Sequence, residues 1–172
     1  MFENPYNYMI SVEQNKINEK SREKIKERVS KSIVLDLGCG IKPINGKYTA
    51  CVDIHNYDVT GENIEFHQYD ILSPDFFEQD FLKNRGIDYT IMNAVISNII
   101  KYDYANNECI IENLDSVINL IENSKQNSKQ VILGVGEEIK NLLIGHLDNV
   151  IIDKVERPEN CIFITDAYIL SI

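Results

Sequence analysis

Apolar residues fall in short runs along most of the chain, separated by polar or turn-forming stretches, and within the runs they do not alternate with polar ones. "SIVLDL" (32–37), "YTACVDI" (48–54), "IEFHQYDI" (64–71), "DYTIMNAVI" (88–96) and "KQVILGV" (129–135) each read as a strand. Runs of this kind mark strands covered on both faces, which belong to a parallel sheet layered between helices. Ahead of them, "SVEQNKINEKSREKIKERVS" (11–30) has helix-favouring composition, with Val12, Ile17, Ile25 and Val29 as a narrow apolar edge; it predicts a mostly solvated helix. Between the fourth and fifth runs, Ile110, Ile111, Leu114, Val117, Ile118 and Ile121 form a helical stripe in "NNECIIENLDSVINLIENS" (106–124), the expected crossover helix. "EEIKNLLIGHL" (137–147) predicts a shorter helix. The last 24 residues, 149–172, read as two strands joined around Arg157, Pro158, Glu159 and Asn160, a terminal hairpin. The pattern predicts an α/β fold: a mostly parallel sheet with a C-terminal antiparallel β-hairpin, in one domain over 1–172 with 1–30 as an N-terminal arm and helix.

Composition narrows the choice of partner. A hydrophobic fraction of 44% and a charged fraction of 26% are those of an ordinary globular protein. The net charge of -10 repels a phosphate backbone, so nucleic acid is a poor partner. Cys39, Cys51, Cys109 and Cys161 show no CxxC pair, and His55, His67 and His146 lie at no metal-ligand spacing; the reading is reduced, mostly core thiols and no metal. "MFENPYNYMI" lacks the basic start and apolar run of a signal peptide, and no segment has membrane-spanning length, so a cytoplasmic protein without a membrane partner is expected. Nothing in the sequence opposes a homo-oligomer.

Chemistry concentrates between the first two strands. A strand ending in Asp36 turns through Gly38 and Gly40, where bare backbone lets a ligand approach, and the next strand closes on Asp53. In a parallel sheet, ligands bind at these carboxyl ends. A dinucleotide fingerprint wants a third glycine where Pro43 stands and an acidic residue further on than Asp53, so NAD is disfavoured. A cationic cofactor carrying an amino acid would use one carboxylate for its ammonium and a second for ribose hydroxyls, and Asp36 with Asp53 fits those tasks.

These residues resemble the class I S-adenosylmethionine-dependent methyltransferases. "LDLGCG" is similar to the family's first motif, D-x-G-x-G, "VDI" to its acidic second-strand end, "QYDI" to its adenine-binding element and "DYTIMNAVISNI" to its fourth-strand segment. The resemblance spans residues 31 to 172 in element order and implies a three-layer Rossmann-like methyltransferase fold. It implies S-adenosylmethionine as cofactor. Asp36, Gly38 and Gly40 would hold its methionine part, Asp53 the ribose, Asp70 with the backbone of Ile71 the adenine, and Asn93 the sulfonium region, with Cys39 and Ile54 also among the cofactor-binding residues. Within the family the chain resembles a branch with "GCGxKP" and an abbreviated first helix, since "GCGIKPINGK" is at the short limit for a parallel crossover. Ser97 and Asn98 stand where many relatives have an acidic residue and a histidine. The (D/N)PP(Y/F) motif of amino-directed nucleic-acid methyltransferases is replaced by Asn93, Ala94, Val95 and Ile96.

Methyl transfer needs alignment and desolvation more than a fixed catalytic group, so the catalytic residues stay unknown; His55, Tyr57, Ser97, Glu137 and Glu138 are strand-end candidates. Phe2, Tyr6 and Tyr8 are placed to form a lid or a frayed end. With no substrate domain in the pattern, the expected activity is methyl transfer to a small-molecule or short-peptide acceptor. The alternatives are an S-adenosylmethionine-binding or inactive accessory protein and, more remotely, an acidic mimic of nucleic acid.

Overall fold

The computed structural model describes residues 5–105, 108–162 and 164–172, with side chains left out for 5–8 and 103–110. Helix α1 (Pro5–Val29) precedes the sheet, begins earlier than its composition predicts, and carries Lys26 and Arg28 in its last turn, where cations suit the helix dipole. Strands β1 (Ile33–Leu37), β2 (Tyr48–Asp53), β3 (Ile64–Gln68) and β4 (Tyr89–Asn93) follow, with only a single 3-10 turn at Phe76–Glu78 among their connections. After β4 come the one-turn helix α2 (Ile96–Ile99), strands β5 (Lys101–Ala105) and β6 (Glu108–Glu112), helix α3 (Leu114–Asn127), β7 (Gln130–Gly136), α4 (Glu137–Leu143), β8 (Ile151–Val155) and β9 (Ala167–Ser171). Seven strands form one sheet in the order β3-β2-β1-β4-β7-β9-β8, parallel through β7 and antiparallel at β9 and β8. Each of the five apolar runs holds one strand, and the chain closes on an antiparallel hairpin as expected.

Two expectations need correction. Residues 108–112 are not the start of a crossover helix but the second strand of a β5–β6 hairpin, with Tyr102 opposite Ile111 and Lys101 opposite Glu112. Asn113, at φ 64, breaks the backbone between that strand and α3, so Ile110 and Ile111 never join the stripe of Val117, Leu120 and Ile121. The terminal hairpin also has a longer connection than the four residues around Pro158. Cys161 and Ile164, read as part of its second strand, instead bury in the loop against α1. Glu13 of α1 accepts the Ile162 amide at 3.2 Å, which fixes that loop.

The strands are covered on both faces. Val34, Ile91, Ile132 and Ile169 point to α1, while their neighbours Leu35, Met92, Leu133 and Leu170 point to α3, α4 and Phe76. On the first face α1 is the main cover, through Ile17, Ile25 and Val29, all at most 1% exposed. Its polar side reaches the sheet's far edge as well: Lys20 donates to the Glu156 carbonyl, Lys24 to the Lys154 carbonyl, and Arg28 pairs with Asp153 at 2.5 Å. No described helix is long and apolar enough to cross a membrane.

Residues 38–47 join β1 to β2 without a helix, as the short spacing requires. Their polar backbone groups are bonded from outside the loop. Arg22 of α1 donates to the carbonyls of Lys42 (3.0 Å) and Pro43 (2.7 Å), the Asp36 carboxyl accepts the Ile44 amide at 2.7 Å, and Asp53 accepts the Gly40 amide at 3.0 Å. Thr49 accepts the Gly46 amide at 2.9 Å. Ile44, 2% exposed, inserts among the residues under α1 and fills part of the layer a helix would have occupied. Gly46 is required by space, since a Cβ there would lie 2.4 Å from the Ser32 carbonyl oxygen.

Burial pushes the Asp36 carboxyl up from an ordinary 3.8 to about 7, against the opposing pull of the Ile44 amide and the Arg22 guanidinium. The native state therefore keeps this proton where the unfolded chain has lost it. The stability it contributes is complete below about pH 4 and is lost as pH rises through about 7. Asp36→Asn, which keeps the acceptor for Ile44, is expected to flatten this decline: its urea midpoint should move closer to, or above, that of the parent between pH 5 and pH 8. Ile25→Ala removes packing on the main helix of its face and should cost about 3 kcal/mol in urea unfolding.

Candidate functional site

The sheet order puts β1 between β2 and β4, so successive strands are added to one side of β1 and then to the other. That reversal opens a crevice at the carboxyl ends of the strands. A cavity of about 530 Å3 lies there, within the range that holds one small ligand. Six of the nine cofactor residues expected from the sequence line it: Gly38 and Gly40 after β1, Asp53 and Ile54 at the end of β2, and Asp70 and Ile71 after β3. His55 and Tyr57 line it too, with their rings edge-to-face at 6.1 Å.

The glycine turn is shaped by its neighbours. Gly38 has φ +66, and a Cβ on it would fall 2.2 Å from Val95 Cγ2, so only glycine lets Val95 close over the turn. Gly40 has φ +57 and open space where a Cβ would project, leaving its backbone bare to the cavity. Val95 reaches this position because Ala94 turns out of β4 at φ 63, a conformation costly for a non-glycine residue and common around ligand sites.

The two carboxylates differ in what they hold. Asp53 is 9% exposed and accepts the Gly40 amide through Oδ2 and the His55 amide through Oδ1, each at 3.0 Å. An ionised carboxylate has about four acceptor positions, so two remain for hydroxyl donors. Asp70 is exposed and accepts the Leu72 amide at 2.9 Å through Oδ1 alone, which leaves Oδ2 for an N–H donor. Between them Ile54 and Leu72 show apolar surface, 57% and 37% exposed, that a flat apolar ring would cover.

The remaining sequence candidates sit around this cavity rather than in its lining. Asp36 is buried beneath the loop with Ile44. Cys39 and Asn93 line an adjoining cavity of about 830 Å3 whose polar walls include Lys16, Arg22 and Lys42. The Cys39 thiol, which donates to the Gly40 carbonyl, is pushed up by the neighbouring Cys51 thiol, by burial and by the nearby Asp36 and Asp53 carboxyls. Gly134 of β7 makes room for Asn93, whose Oδ1 would be 2.0 Å from a Cβ there. Ser97, Glu137 and Glu138 line a third cavity with Asn93. Phe2, Tyr6 and Tyr8, the proposed lid, lie outside the residues whose side chains are described.

Sequence reasoning missed the apolar wall of Val95, Leu72 and Ile99, and the contribution of α1. The signal for the wall was the run "AVISNII", which is too short to separate a strand end from a helical turn.

Compared by sequence, the chain matches no family model and no curated protein. Compared by structure, it is similar to the N-methyltransferase NodS from Bradyrhizobium japonicum WM9, at 13% identity and a TM-score of 0.56 over 90% of this chain and 94% of that one. It is similar as well to magnesium protoporphyrin IX methyltransferase from Synechocystis PCC 6803 with bound SAM, at 13% identity and a TM-score of 0.55 over 99% of this chain and 84% of that one. The 16S rRNA methylase RmtB gives 15% identity and a TM-score of 0.55 over 92% of this chain and 63% of that one. The sheet order, the helices on both faces and these likenesses together establish a Rossmann-like methyltransferase fold.

Proposed function

We propose that the chain is an S-adenosylmethionine-dependent methyltransferase that acts on a small-molecule or short-peptide acceptor. The observation that carries this is the strand-end cavity, where a bare glycine turn, Asp53 with acceptor positions to spare and an N–H-accepting Asp70 face one space with apolar surface between them. The residues fit the cofactor. Asp53 and Ile54 would hold the ribose, and Asp70 with the backbone of Ile71 the adenine, against Ile54 and Leu72. Gly38, Cys39 and Gly40 would take the methionine part above Asp36, with Asn93 beside the sulfonium. Bound there, the cofactor would supply an electrophilic methyl group. The chain's own part is to orient the two reactants and exclude water: Val95 and Ile99 wall the cavity, and the loop amides are fixed before any ligand arrives.

A dinucleotide fits less well, because no helix starts after the glycine turn to receive a pyrophosphate. A small acceptor is favoured over nucleic acid by the net charge of -10. The fold neighbour that is an rRNA methylase makes an RNA acceptor the reading to test against.

Calorimetric titration should show saturable binding of S-adenosylmethionine and none of NAD; the reverse result, or no binding of either, would sink the proposal. Asp53→Ala is expected to weaken S-adenosylmethionine binding tenfold or more while the protein stays folded by circular dichroism. Gly134→Ala, by displacing the Asn93 side chain, should lower transfer activity about as much as Asn93→Ala, and the double variant should lose no more than either.

A further inference from the structure

The third cavity, of about 430 Å3, opens between α1, the ends of β4 and β7 and the start of α4. It meets the first at Asn98, which lines both. Ser21 of α1 lines it, is 2% exposed, and has a hydroxyl with no hydrogen-bond partner among the described residues. A buried hydroxyl without a partner carries a cost that a ligand would relieve. Asn93 and Asn98 bring amide groups that no described side chain engages, and Glu137 and Glu138 bring carboxylates paired with no described cation. No lysine, arginine or histidine is among the described lining residues. Such a wall repels phosphates and carboxylates and accepts hydrogen bonds from N–H donors.

We infer that this cavity is the acceptor subsite and that it takes a small amine or guanidine compound. Glu137 and Glu138 would accept its N–H groups, and Ser21 and Asn93 would orient it beside the cavity that Asn98 shares. Glu137 and Glu138 also suit the first turn of α4, so their recognition role must be separated from a helix-stabilising one. The inference rests on the methyltransferase reading above, and the two can fail separately.

The full chain, saturated with S-adenosylhomocysteine so that no transfer occurs, would be titrated with butylamine, putrescine and agmatine and, in parallel, with inorganic phosphate. Calorimetry and backbone amide shifts would be followed together. At least one amine should bind and shift Gln14, Ser21, Gly134 and Glu138, while phosphate leaves them unmoved. The double variant Glu137→Gln, Glu138→Gln should weaken that amine tenfold or more with S-adenosylhomocysteine affinity held within twofold. Ser21→Ala should weaken it at least threefold yet raise the melting temperature, since it deletes an unpartnered hydroxyl; a purely structural serine would leave amine binding unchanged. The inference is overturned if no amine shifts these residues, if phosphate does so instead, or if the double variant binds amine as the parent does. Failure to bind S-adenosylhomocysteine would count against the cofactor reading alone, because the amine titration can be read on the chain without it.

Discussion

The glycine turn at the strand ends depends on how residues 38–47 are held without a helix. A crossover helix satisfies its own backbone and presents an apolar stripe to the sheet; a bare loop does neither. Here Arg22, Asp36, Thr49 and Asp53 bond the loop's amides and carbonyls from three separate elements, and Ile44 supplies the apolar contact. The arrangement gives the glycine turn a fixed shape at the cost of burying a carboxyl. Asp36 and Asp53 thus serve the loop as well as any ligand, since each already accepts a backbone amide.

This dual use explains why the motif is compact. In a helix-bearing crossover the residues that shape the turn and those that bind a ligand can be different. With ten residues between β1 and β2, Asp53 both holds the turn and lines the cavity, while Asp36 holds the loop from beneath. The cavity is accordingly lined by backbone and by short side chains near the turn, while its apolar wall comes from the other side, through the strained exit of Ala94 from β4.

Much of this was legible in the chain itself. Continuous apolar runs betray strands covered on both faces, and Asp36, Gly38, Gly40, Asp53 and Asp70 were marked by their places at the ends of those runs. The β5–β6 hairpin was hidden because Ile110 and Ile111 fall in phase with the stripe of α3. The signal against a helix was the Asn106-Asn107 pair between "KYDYA" and "ECIIE", a spacing of two residues that suits a hairpin. The reach of α1 was hidden for a different reason. Its apolar edge is narrow, and only the folded chain shows that it buries Ile17, Ile25 and Val29 against strands as distant as β9, that Arg22 reaches Lys42 and Pro43, and that Ser21 lines the third cavity.

The ties from α1 to the C-terminal hairpin link that hairpin to the glycine turn. Lys20, Lys24 and Arg28 anchor the helix to β8 and the residue after it, and Arg22 on the same helix holds the loop carbonyls. The same helix packs on Val34, Ile91 and Ile132 of the parallel strands, so β8 and β9 extend a seat that those strands begin. A change in the C-terminal hairpin that loosens α1 is therefore felt at the glycine turn through Arg22, although it touches no residue of the first cavity.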